Sequence, residues 1–102
     1  MSLDFVVLGA DNAPERTVSL GVDLHKALLV ATALQNTQEM QKFHDYYEDV
    51  EIGTDVLPAL LQDAAILRDR VDSVELSDFL GEFMTLVNFA ISQGKALHAL
   101  AD

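Results

Sequence analysis

The stretch HDYYEDVEIG, residues 44–53, concentrates the reactive groups of this chain. Asp45, Glu48, Asp49 and Glu51 stand there among His44, Tyr46 and Tyr47, and Asp55 carries the acidic run past Gly53. Such a set could bind a metal, move a proton, or present a charged face to a partner. The metal reading is tested by spacing. Carboxylate-bridged metal sites in helical proteins use Glu-x-x-His pairs, but the residues three before His25, His44 and His98 are Val22, Gln41 and Lys95. No His-Glu-x-x-His occurs, and a chain without cysteine has no thiolate for a structural zinc. His44 and Glu48, four apart, would share a helical face and give only two ligands. No metal or other cofactor is expected.

Catalytic patterns are equally thin. A nucleophile elbow needs glycine two residues either side of the serine, and around Ser19 only Gly21 is in place. The five glycines are scattered singly, so neither phosphate-cradling loop is present. Paired carboxylates can do acid–base work when a cleft perturbs one of them, and nothing in the sequence announces a cleft. The chain is not expected to be an enzyme.

The remaining reading is a binding surface. On a helix, Asp45 and Asp49 are four apart, where like charges weaken the helix by about 0.2–0.5 kcal/mol. Acids near a helix C-terminus also oppose its dipole. Local physics therefore disfavours these carboxylates, which points to selection by a partner. Tyr46 beside them would add contact area at low entropic cost. The expected partner-binding residues are Asp45, Tyr46, Glu48, Asp49 and Glu51, with Asp55 next.

The whole chain agrees with that choice. Seventeen acids face six Lys and Arg, a formal net charge of −11. Phosphate backbones and anionic membranes would be repelled, so neither nucleic acid nor membrane is an expected partner, whereas a basic protein would be attracted. The longest apolar runs, residues 5–8 and 27–31, fall far short of the roughly 20 residues of a membrane helix. The acidic start, Met1-Ser2-Leu3-Asp4, is unlike a signal peptide, and the absence of cysteine suits the cytoplasm.

The elements that would position these groups follow from periodicity. A length of 102 residues predicts one domain, 1–102. LDFVVL at 3–8 reads as a strand buried on both faces, residues 9–14 as a turn, and residues 16–20 as a returning strand. Leu20, Leu24, Ala27, Leu28, Ala31 and Leu34 form the stripe of a first helix. Asn36 and Glu39 resemble a capping box for a second helix, with Met40, Phe43, Tyr47 and Val50 inward. Thr54 would cap a third helix, and Asp72 with Glu75 a fourth, whose stripe runs from Leu76 to Ile91 and ends at Gly94. Residues 96–100 read as a last turn or short strand. The fold expected is mainly α: a four-helix bundle-like domain with a short N-terminal β-hairpin. Phe89, about 220° around the helix from Leu76, should meet a second packing surface such as the hairpin.

The order LDFVVL, a polar turn, then VSLGVDLH leading into acidic helices is similar to small bacterial immunity proteins, which accompany polymorphic and contact-dependent toxins. That resemblance implies a cytosolic protein bound tightly to a cognate toxin domain, blocking its active site or a neighbouring surface. The alternative is a structural or adaptor module without a toxin partner, forming a homodimer through apolar residues off the main stripes such as Val22, Leu29 and Phe89.

Overall fold

The computed structural model describes residues 2–9, 11, 13–35, 39–40 and 49–101. Among them are four strands and three helices in the order β1 (Ser2–Leu8), β2 (Pro14–Gly21), α1 (Val22–Gln35), β3 (Val50–Ile52), α2 (Leu57–Arg70), α3 (Val74–Gln93) and β4 (Leu97–Ala101). The strands form one antiparallel sheet ordered β2-β1-β4-β3. The four-helix-bundle expectation is therefore wrong. The fold is α+β, with three helices and a four-stranded antiparallel sheet among the described residues.

The expected hairpin is present, with β1 and β2 paired in register from Ser2–Gly21 to Val7–Arg16 and a slip at Leu8. Its loop is tied by the Gly9 N–H donating to the Ala13 carbonyl at 2.8 Å. What turns a marginal hairpin into a sheet is β4, which pairs with the other edge of β1 from Leu3–Ala101 to Val6–His98. β1 is thus a central strand, and alternation assigns its faces. Leu3, Phe5 and Val7 are buried toward the helices, and Val6 is buried on the opposite face.

α3 packs directly on β1 and β2, and α2 packs on α3. Phe79 and Phe83 of α3 meet Phe5 of β1: Phe5 and Phe83 lie edge-on with centroids 5.0 Å apart, and Phe79 and Phe83 are stacked at 5.8 Å. The end of the Arg68 side chain of α2 lies over Gly81, where an added Cβ would come 3.0 Å from its guanidinium carbon. α3 starts at Ser73, whose Oγ accepts from the Leu76 N–H at 3.2 Å, and not at Asp72. It stops at Gly94, which takes the left-handed conformation (φ 64°) and donates to the carbonyls of Ala90 and Ile91. That is the α_L cap for which glycine is suited.

Three further expectations are corrected. Leu20, read both as the end of the returning strand and as the start of the first helix's stripe, belongs to β2, paired with Leu3, and does not begin α1. Val50 does not end a helix: Val50-Glu51-Ile52 is an extended strand on β4, with Ile52 inward and Glu51 outward, because alternation with two β-branched residues suits an edge strand. Thr54 does not cap the third helix. Its N-cap is Val56, without a side-chain cap, and Pro58 falls within the first turn. The segment 41–48, expected to be the body of the second helix, lies outside the described residues.

Candidate protein-binding surface

Of the six expected site residues, Asp45, Tyr46 and Glu48 lie outside the described residues. Asp49, Glu51 and Asp55 are described, and the structure places all three around β3, at one edge of the sheet. Each has a local setting that the sequence did not reveal. Asp49, just before the strand, accepts the Ala101 N–H on Oδ1 at 2.7 Å. It therefore pins the end of β4 against the start of β3. Glu51 points from the outer face of β3 toward His98 on β4, its register partner, with 3.7 Å between Oε1 and Nε2. Glu51 remains two-thirds exposed while the histidine side chain is about one-quarter exposed (66% and 23%). A charged residue on a three-residue edge strand also discourages further strands from adding there.

Asp55 lies in the turn between β3 and α2, which is closed by the Val56 N–H donating to the Gly53 carbonyl at 3.0 Å. Its carboxylate folds back over Gly53, where an added Cβ would come within 2.8 Å of Oδ1. From this turn Asp55 also marks one end of a groove of about 610 Å³ along α2, with Pro58, Ala59, Gln62, Ala65 and Met84 among its lining residues. Sequence reasoning missed this groove because it followed the buried stripe of α2. The opposite face of the helix, where the small residues Ala59 and Ala65 stand either side of Gln62, was the signal that could have shown it.

The three described carboxylates thus share one sheet edge and its following turn, but only Glu51 and Asp55 are free of a backbone clamp among the hydrogen bonds the structure resolves. Among the described residues, no group of three or more His, Asp or Glu side chains is gathered so as to hold a metal ion. No helix among them is long and apolar enough to cross a membrane.

The other residues singled out by sequence also find places. Phe89 meets the hairpin as expected. The Arg16 guanidinium of β2 sits 4.2 Å from its ring centroid, a cation–π contact that covers the ring. His25 is buried on the inner side of α1 and His98 is half-buried on β4. Lys95 bonds Glu15 at 3.0 Å, which ties the segment after α3 to the hairpin. Asp63 of α2 accepts the Glu39 N–H at 2.8 Å and fixes the chain beyond α1 to the helical layer. In comparisons with known proteins, the chain matches no family model, no curated protein and no solved structure.

Proposed function

We propose that this protein is a stoichiometric binding partner of a basic protein, and that its specific role is cytoplasmic neutralisation of a cognate toxin domain. The observation that carries the reading is the net charge of −11 together with the exposed carboxylates of Glu51, on the edge strand β3, and of Asp55, in the following turn at the end of an open groove. A rigid sheet edge holds such charges with less entropy to lose on docking than a floppy loop would. The negative field speeds encounter with a cationic surface, and the groove along α2 supplies apolar contact once the partner is seated. The partner would be blocked because carboxylates occupy cationic ground otherwise open to its substrate. The resemblance of the hairpin and following helix to immunity proteins gives this reading its biological setting.

The test is capture from lysate of the native host on immobilised protein, followed by a salt series. One stoichiometric basic protein, released as salt rises, is the expected result. The decisive variant converts Asp45, Glu48, Glu51 and Asp55 to their amides. Asp49 is kept because it clamps Ala101. Neutralising four charges should weaken capture at least about tenfold and flatten its salt dependence. Capture that is equally strong, with an unchanged salt response, would remove the acidic edge as the site.

A further inference from the structure

The two edges of the sheet differ in how they are guarded. β3 is three residues long and turns Glu51 outward. β2 is eight residues long, and among the described residues no strand pairs with its outer edge. Alternate residues along such an edge turn their N–H and C=O groups away from the sheet, where another strand can pair with them. Proline and charge block that pairing, and here they are confined to the start of β2. Pro14, Glu15 and Arg16 come first, and Thr17-Val18-Ser19-Leu20-Gly21 follows without charge or proline. Both charged side chains are also engaged inside the chain, Glu15 with Lys95 and Arg16 over the Phe89 ring.

α3 runs back along this edge. Phe89 lies against Arg16, and Phe83 and Phe79 lie against Phe5, the register partner of Val18. Between helix and strand is a crevice of about 390 Å³, lined by Arg16, Thr17 and Val18 from β2 and by Glu82, Thr85 and Leu86 from α3. At 100° per residue, Asp78 falls about 40° from Glu82, on the same flank and one turn nearer the helix start. Both acids are exposed, and among the described residues neither is held in an ion pair. We propose that β2 takes an extended segment of a basic partner as an added strand, with Lys or Arg side chains at alternate positions entering the crevice toward Glu82 and Asp78. Backbone pairing supplies the contact and the crevice selects the side chains, as in other strand additions. The spacing agrees. Residues two apart on a strand are about 6.8 Å apart, and residues four apart on a helix rise about 6 Å. A second copy of this chain is a poor occupant. Antiparallel pairing of two β2 edges puts the two-fold axis perpendicular to the sheet and both α3 helices on the same side of it. The acidic flank of one copy would then face that of the other. Nucleic acid is opposed by the same acids.

This inference does not rest on the toxin reading, and its site lies at the opposite edge of the sheet from Glu51. The probe is the end-capped peptide Thr-Lys-Thr-Lys-Thr-Lys-Thr, which carries Lys on one face when extended. It is titrated to about 5 mM, the range of weak association, into the isotope-labelled full chain, and binding is read from amide NMR shifts. The expected result is saturable binding with the largest shifts at residues 15–20. Methylating the peptide's backbone nitrogens should abolish binding, because strand pairing needs those donors. Grouping the same Lys residues at one end of the peptide should weaken it at least about tenfold. D78K/E82K should also weaken it at least about tenfold, with an unchanged circular dichroism spectrum because both positions are exposed. D23K/D69K, which changes the net charge equally at exposed positions elsewhere, should bind as the starting protein does. Shifts gathered at residues 49–55, or equal binding of the methylated peptide, would overturn strand addition at β2. Equal losses in the two variants would overturn the role of the crevice acids. The absence of saturable binding would overturn the proposal as a whole.

Discussion

α1 and α3 are both rich in apolar residues, yet they bury them to different extents. α3 buries Leu76, Phe79, Leu80, Phe83, Leu86, Val87 and Ala90 along one stripe, turns Asp78, Glu82 and Asn88 outward, and is capped at both ends by Ser73 and Gly94. α1 buries two polar residues and leaves Val22, Val30 and Leu34 in solvent. Pattern strength, not apolar content, separates a helix that is fixed by the core from one that offers a surface. The core is built on α3, and α1 covers it while leaving Val30 and Leu34 exposed. The substitutions below test that contrast.

The largest effect is expected at Phe83. It is fully buried and touches both Phe5 and Phe79, so it joins α3 to the central strand. Phe83→Ala should cost about 3–5 kcal/mol through lost burial and a cavity, much of the whole stability of a domain this size. Urea unfolding followed by circular dichroism measures it. A loss below about 1 kcal/mol would mean that α3 is not the helix on which the core depends.

Smaller, but still sharp, is the pair of glycines on α3. Gly94 sits at φ 64° with nothing near its absent Cβ, so Gly94→Ala is opposed by backbone conformation alone and should cost about 1 kcal/mol. Gly81 is mid-helix, and its added Cβ meets only the end of the Arg68 side chain, which can swing toward solvent. Gly81→Ala should therefore be neutral or stabilise by up to about 1 kcal/mol, since helix propensity rises. Opposite signs for the two substitutions, read from thermal melts, are the expected outcome. Equal losses would mean that α2 and α3 have no room at their crossing.

These same elements show what the sequence made legible. The hairpin was readable because LDFVVL is continuous, apolar and followed by a turn. α3 was readable because its buried stripe keeps a 3.6-residue period from Leu76 to Ala90, about four turns, and its end is marked by a glycine; Ile91, expected at the end of that stripe, is exposed. β4 was legible only as one of two options, a last turn or a short strand, because Ala99 and Ala101 are weak strand formers; pairing with β1, at the other end of the chain, makes it a strand. β3 is only three residues long, and its strand character comes from its pairing with β4. The inner face of α1 was misread for a related reason. Ala27 and Leu34 fit the apolar stripe, but the helix rolls so that His25 and Thr32 turn inward, and tertiary packing outweighs the local pattern. At the candidate site, the sequence identified the acidic character of residues 49–55 but not its division of labour. The clamp from Asp49 to Ala101 and the approach of Glu51 to His98 both reach across to β4.

The smallest effect is expected at Leu34, where the contrast between the two helices is most exposed to failure. A leucine at 75% exposure contributes little to the fold of one chain. Leu34→Lys should leave the unfolding free energy within about 0.5 kcal/mol of the starting protein, as for other surface changes. A loss of about 2 kcal/mol or more would mean that Leu34 is packed within the chain. In that case α1 would be an ordinary buried helix like α3, and the difference between the two would vanish.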